Sequence, residues 1–482
     1  MAAGDVAKEP VTGEHSPTKA NGAPSADADG ADRYRPLPTG SHGLDPELVK
    51  VDQRERLRGA MIELIARKGY PSVRIVDLAK LAHVSQPTFY SLYGDKEELF
   101  LSAYDEIAQQ TARTVMKAYE VEDSQDARLR SAMHAFAELA VAEPTAMSLL
   151  MLGAFGAGAK ALERRRGTLE ALEQRILASR DGGPARGKAD LSVKAILGGI
   201  REVTAERLRS GREQELPGLV EELADWAACY PRKVPSPLGA PAITRREPSP
   251  DGQISERARR AEGRLPSGRS DLPRQFIVKS QRERIVDATA AIVAEKGLAG
   301  LTIPEITRRA NVSNQTFYSI YASKHDAFLG AQKVGMHQAL GVAVEAYRAQ
   351  GDDWPRAVAA GLRALTDYLA SEPAHAHLNL VDTFAASPEA IEIRTASMHA
   401  FAAYLRPGVA LAQDPSAVPE IAAEAVAGGI WQVFHHYIEN ECVEQLPEAA
   451  PQLTYMALAP YIGPKDAARV ARAAKQEALP PA

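Results

Sequence analysis

Only two cysteines, Cys229 and Cys442, occur in the 482 residues, and they do not fall at corresponding places in the chain. That excludes a disulfide framework, and both thiols are expected to be reduced. No uninterrupted apolar run approaches the ~20 residues that a membrane-spanning helix needs. The N-terminus also lacks the charged-then-apolar layout of a signal peptide, so a cytoplasmic protein is expected. Positive charge is not in surplus: 57 Lys and Arg stand against 62 Asp and Glu, a net charge of −5. This argues against an indiscriminate binder of nucleic acid and leaves DNA contact to local basic patches. Sustained strand-like alternation is missing, which makes the expected fold class all-α. Nucleophile elbow, phosphate-binding loop, metalloprotease motif and dinucleotide fingerprint are missing too, so neither an enzyme nor a cofactor is expected. His435 with Glu439, or His375 with His377, supplies too few ligands for zinc, and no metal is expected.

What the chain does contain, it contains twice. Val84-Ser85-Gln86-Pro87-Thr88-Phe89-Tyr90-Ser91-Leu92-Tyr93-Gly94-Asp95-Lys96 recurs as Val312-Ser313-Asn314-Gln315-Thr316-Phe317-Tyr318-Ser319-Ile320-Tyr321-Ala322-Ser323-Lys324, a shift of 228 residues. Arg54-Glu55-Arg56 and Arg282-Glu283-Arg284 keep the same shift. Further on, Glu143-Pro144 matches Glu372-Pro373, and Gly198-Gly199-Ile200 matches Gly428-Gly429-Ile430, with the shift growing only to 230. Both halves are therefore copies of one helical unit. The composition of residues 1–49 predicts a disordered tail, and the Pro- and Arg-rich stretch 231–277 an interdomain linker. The surplus of Arg and Lys in that stretch reads as a solvated tether, with non-specific phosphate contact as the sharper alternative.

Within each repeat, helix-period patterning predicts a helix up to Lys68 or Lys296, a short second helix, and a third opening at Ser85 or Ser313. Two short helices joined by a tight turn have the layout of a helix-turn-helix. Phe89 and Phe317 then face inward. Gln86, Thr88 and Tyr90 face outward in the first copy, and Asn314, Gln315, Thr316 and Tyr318 in the second. Amides and hydroxyls at the start of a reading helix suit the donor and acceptor pattern of base edges. Ser85, Ser313, Lys96 and Lys324 are placed to hold phosphates, which fix register without reading sequence. Arg74 starts the second helix of the first copy and is expected to clamp a phosphate; Thr302 holds the same place in the second copy, as a cap. The two reading faces differ, so two unlike half-sites are expected.

The twice-present pattern Ala-x-Val-Ser-x-x-Thr-Phe-Tyr-x-x-Tyr-x-x-Lys resembles the signature of TetR-family transcriptional regulators. The resemblance implies DNA-binding heads at 50–98 and 278–326, helical ligand and dimerisation domains at 99–230 and 327–463, and a C-terminal tail at 464–482. It implies a repressor released by a small-molecule effector, with a double-stranded operator as partner. It also implies that 216–230 and 446–461 are the last helices, which in the family help form a dimer bundle. The turn before the reading helix is usually glycine in that family, whereas here it is His83 and Asn311. An effector cavity would be apolar with a few polar groups, and the candidates are Met151, Phe155, Phe384, Met398, Phe401, Trp431 and His435. With two copies in one chain, an intramolecular pseudo-dimer is expected; the alternative is a homodimer of chains with four heads. A rival function is a small-molecule-binding or protein-interaction module that has lost DNA binding.

Overall fold

The computed structural model describes residues 45–122, 124–181, 191–230 and 274–477, and these contain helices and turns but no strand. The fold is all-α, as the patterning predicts. The first half comprises α1 (Pro46–Lys68), α2 (Ile75–Leu81), α3 (Gln86–Leu92), α4 (Lys96–Val121), α5 (Gln125–Ala142), α6 (Pro144–Ser148), α7 (Ala154–Gly156), α8 (Ala159–Asp181), α9 (Leu191–Arg209) and α10 (Leu216–Ala228). The second repeats it as α11 (Arg274–Gly300), α12 (Ile303–Ala310), α13 (Asn314–Ile320), α14 (Lys324–Arg348), α15 (Trp354–Ser371), α16 (Pro373–His377), α17 (Thr383–Ala386), α18 (Pro388–Ala403), α19 (Ala422–Glu439) and α20 (Ala450–Glu477). Irregularities repeat as well. A π-helical turn joins α6 to α7 at Leu149–Gly153, and another joins α16 to α17 at Leu378–Asp382. Gly69 (φ 73°) redirects the chain after α1, and Gly297 (φ 64°) kinks it at the corresponding place within α11.

Three boundaries depart from the sequence reading. α1 starts at Pro46, inside the expected 1–49 tail, because Asp45 caps it by accepting the Glu47 N–H at 2.9 Å and proline suits the first turn. α11 starts at Arg274 rather than 278, where the Pro- and Gly-rich composition gives way to better helix formers. The expected tail at 464–482 is helical to Glu477: Pro464 opens a new turn after the bend at Gly463, and Ala467, Ala468 and Ala471 are fully buried. The rest of the expected tails and linker lies outside the described residues.

Each head packs on a core of its own, built on Leu57, Met61, Leu78, Phe89 and Phe100 in the first and Ile285, Ile292, Ile306, Phe317 and Phe328 in the second, to which the helical body adds Leu149, Ala154 and Ala161 or Ala374, Leu378 and Ala390. A third core runs through both helical bodies, joining Val203, Val220 and Trp226 to Val426, Ile430, Leu453 and Met456. At its centre α9 crosses α19. A Cβ on Gly199 would lie 2.4 Å from the Ala425 carbonyl oxygen, and one on Gly429 2.6 Å from that of Ala195. On Gly198 and Gly428 it would meet the Cβ of Gln432 and Glu202 at 2.3 and 2.6 Å. These contacts are reciprocal, since one shift of 230 residues carries Ala195, Gly198, Gly199 and Glu202 onto Ala425, Gly428, Gly429 and Gln432. Each half presents the same patch to the other, as identical subunits do across a two-fold axis. α10 and α20 flank the crossing, where the Tyr230 hydroxyl donates to the Met456 carbonyl at 2.9 Å. The sequence reading named only these last helices as helping to form the bundle; α9 and α19 supply its middle.

Because the obstructing atoms at Gly199 and Gly429 are backbone, they cannot swing aside. Gly199→Ala and Gly429→Ala should each destabilise by about 1–3 kcal/mol through overpacking, less the ~1 kcal/mol that alanine gains over glycine in a helix. Gly218→Ala, in open space on α10, should be neutral or stabilising. Thermal unfolding of the three variants compares them directly, and equal melting temperatures would contradict the close crossing.

Candidate nucleic-acid interface and the cavities of the helical bodies

The reading helices are short, so their ends decide their stability. Ser85 Oγ accepts the Thr88 N–H at 3.1 Å, and Ser313 Oγ accepts the Thr316 N–H at 3.0 Å. Phe89 and Phe317 point inward and are completely buried. On the opposite face Gln86 and Tyr90, and Asn314, Gln315 and Tyr318, are exposed, while Thr88 and Thr316 are half-buried. Tyr90 is 55% exposed and Tyr318 57%, each edge-on to its buried neighbour Phe89 or Phe317. An aromatic ring so placed forgoes burial yet is held still, which suits contact with another molecule. Asn314 is tied back to α12, its Oδ1 accepting the Thr307 hydroxyl at 3.3 Å.

The turn before each reading helix is left-handed: His83 and Asn311 both have φ 51°. Asparagine tolerates that backbone better than histidine. One arginine braces each turn. Arg284 donates to the Ala310 and Asn311 carbonyls, both at 3.0 Å, and Arg56 does the same to Ala82 and to His83 at 3.3 Å. The sequence reading noticed these arginines only as markers of the repeat. Their spacing from the turn was the available signal.

Lys96 and Lys324 are not simply free phosphate ligands. The Lys96 ammonium donates to the Tyr70 and Val73 carbonyls at 3.0 and 2.9 Å, and Lys324 donates to Leu301 at 2.9 Å. Burial, with the charge of Lys68, pulls Lys96 below the ordinary lysine range. Part of each ammonium thus pins the loop before α2 or α12. Arg74 is exposed and forks onto Asp77 at 3.1 and 3.0 Å, and Lys68 meets the same carboxylate at 2.6 Å. In the second head Glu305 takes Asp77's place between Lys296 (2.8 Å) and Arg308 (2.6 Å), and Thr302 caps α12 by accepting the Glu305 N–H at 3.4 Å. Each head therefore keeps an exposed guanidinium beside α2 or α12, on a different helical position.

The expected cavity residues divide between two sites. Phe401 and Trp431 line an apolar cavity inside the second helical body with Met336, Leu365, Ile430 and Phe434. Met151, Phe155, Trp431 and His435 line a second cavity whose walls come from both halves and include Arg165, Arg201, Glu202 and Arg394. Met398 is buried beside Glu202 in a smaller recess. Phe384 belongs to α17, and its side chain lies outside the described residues.

The second cavity is heavily charged. Arg394, 2% exposed, forks onto Glu202 at 2.7 and 2.8 Å, and Arg209 reaches Glu202 at 3.1 Å. Burial alone would raise the Glu202 carboxyl, yet Arg394 and Arg209 hold it at about 2. Arg165 is 4% exposed with its guanidinium 4.3 Å from the Phe155 ring centre. Arg201 donates to Gln432 Oε1 at 3.2 Å, and burial together with Arg165 lowers it to about 9. His435 Nδ1 lies 3.1 Å from Glu439, but burial still depresses the imidazole, favouring its neutral form. None of these arginines was singled out from sequence. No cluster of three or more His, Cys, Asp or Glu is placed to hold a metal among the described residues. No single helix among them is long and apolar enough to cross a membrane.

The family model described as "Bacterial regulatory proteins, tetR family" matches the chain at residues 58–103 and again at 285–330, covering the two heads. A search of curated proteins gives no match. Solved structures similar to part of the chain include the fatty acid degradation regulator FadR from Bacillus halodurans, at 16% identity and TM-score 0.33, over 36% of this chain and 94% of that one. The transcriptional regulator FadR from Bacillus subtilis, in complex with stearoyl-CoA, is similar at 16% identity and TM-score 0.32, over 36% of this chain and 96% of its own. A TetR family transcription regulator from Marinobacter aquaeolei VT8 is similar at 17% identity and TM-score 0.30, over 38% and 96%. With the helix-turn-helix motif, its caps and its buried phenylalanine present in two copies, and the tetR family model matching both, the chain carries two TetR-like units in one polypeptide.

Proposed function

We propose that this regulator is a repressor, released by a small-molecule effector, in which one chain forms a pseudo-dimer and reads a single asymmetric operator with two unlike heads. The reciprocal α9–α19 contact carries this reading, because it buries between the halves the surface that a TetR-like unit would otherwise offer to a second chain. Within it, Gln86, Thr88 and Tyr90 in one head and Asn314, Gln315, Thr316 and Tyr318 in the other contact base edges and the sugar-phosphate backbone. Ser85, Ser313, Arg74, Thr302 and the remaining donors of Lys96 and Lys324 fix register on phosphates. The protein acts in the cytoplasm and has no catalytic role. Effector binding favours an arrangement whose heads no longer match the half-site spacing.

Titrating the protein onto DNA selected in vitro tests this. The preferred site should be lopsided, and affinity should fall steeply with salt as condensed ions are released. Tyr90→Ala and Tyr318→Ala should each weaken binding by about 1–3 kcal/mol, and each should relax preference at a different half-site. A palindromic site, or indifference to both substitutions, would refute unlike heads. A two-chain species at low concentration, seen by mass measurement in solution, would refute the single-chain pseudo-dimer.

A further inference from the structure

We propose that the cavity between the halves binds a compact oxyanion, a carboxylate or phosphate group, on the guanidinium of Arg165. The inference deepens the effector reading and rests on it for its regulatory consequence, though not for the binding itself.

The repeat shows what is missing from this site. A shift of 229 residues carries Ala161 and Arg165 of α8 onto Ala390 and Arg394 of α18, and all four are buried. Across the α9–α19 crossing, Glu202 corresponds to Gln432. Arg394 reaches over to Glu202 of the other half and forms a two-point ion pair. The symmetric partner of Arg165 would be position 432, where an uncharged amide stands, and its oxygen accepts from Arg201 instead. One of two equivalent ion pairs is present and the other has lost its acid. Arg165 is left buried with no ion-pair partner among the described residues, and Glu439 and Glu202 act on it only at longer range.

A guanidinium stays protonated when buried, and a buried charge without a counter-charge is costly. Three arginines and one carboxylate line the cavity, so the wall carries a surplus of positive charge. One further donor lines it. Trp431 Nε1, an indole N–H, is buried without a hydrogen-bond partner. The free space amounts to roughly two waters, the size of an acidic group rather than of a whole ligand. The planar fork of arginine matches two oxygens of a carboxylate or phosphate.

The test uses the full chain without DNA, so that failure of the anion site leaves the DNA-binding reading standing. Thermal unfolding and titration calorimetry are run with sodium acetate and, separately, inorganic phosphate, each against sodium chloride at matched ionic strength. The wild-type protein should show saturable stabilisation by acetate, phosphate or both, and the responding arm names the group. Gln432→Glu supplies the acid from within the protein: it should be at least as stable as wild type in chloride and bind the anion at least tenfold more weakly. Arg165→Met should lose the same response. Absence of any response in the wild type, an undiminished response in both variants, or a Gln432→Glu protein less stable than wild type would each overturn the proposal.

Discussion

Replacing Glu202 by glutamine is expected to destabilise the protein by about 3–5 kcal/mol at neutral pH, the range for breaking a buried ion pair by removing one partner. The carboxylate holds two buried or half-buried arginines, Arg394 from the other half and Arg209 from its own helix. Its amide replacement offers one neutral acceptor to both. The pH dependence gives the loss a signature. Glu202 is depressed from 4.5 to about 2 in the folded protein, so its contribution is complete above the unfolded value and is lost as pH falls towards the folded one. The gap in stability between wild type and Glu202→Gln should therefore be widest above about pH 5 and close as the pH approaches about 2. Denaturant unfolding at a series of pH values measures it. A constant gap across that range would show that the loss arises from packing and not from the charge.

Phe317→Ala should cost about 3–5 kcal/mol, and Phe89→Ala a similar amount, because each fully buried ring fills the centre of a small core. The consequence is local. The core around each ring is a separate cluster from the one shared between the helical bodies, although α7, α8, α16 and α18 contribute to it, so the variant should gain an early thermal transition while the main one stays in place. Operator affinity should collapse for the half-site read by the damaged head and survive in part at the other. Calorimetry with limited proteolysis resolves the two transitions. A single transition displaced as a whole would mean that head and body unfold together.

The heads were largely legible in the sequence because local rules determine them. Ser85 and Ser313 open the reading helices where the patterning starts them and cap them there, Asp95 accepts the Glu98 N–H at 2.8 Å, and Pro87 stands in the first turn where its missing donor is harmless. The family and the all-α class followed from that motif and its repetition. What could not be read was settled between distant segments. Arg165 and Arg394 look like surface arginines until the walls of a cavity drawn from both halves close over them. Lys96 looks free until the loop carbonyls of Tyr70 and Val73 close over it. The helix after Gly463 lies in the stretch read as a tail: Pro460, Gly463 and Pro464 interrupt the helical pattern, and its buried alanines carry too little apolar area to signal burial by themselves.

The covalent joining of the two units changes what mutation does at the α9–α19 crossing. Where identical chains meet, a codon change alters both sides at once, so a favourable acid on one side is matched by the same acid on the other. Here positions 202 and 432 are encoded separately, and glutamate on one side coexists with glutamine on the other. Lopsidedness at an interface, unreachable for an assembly of identical subunits, becomes a single-step evolutionary change.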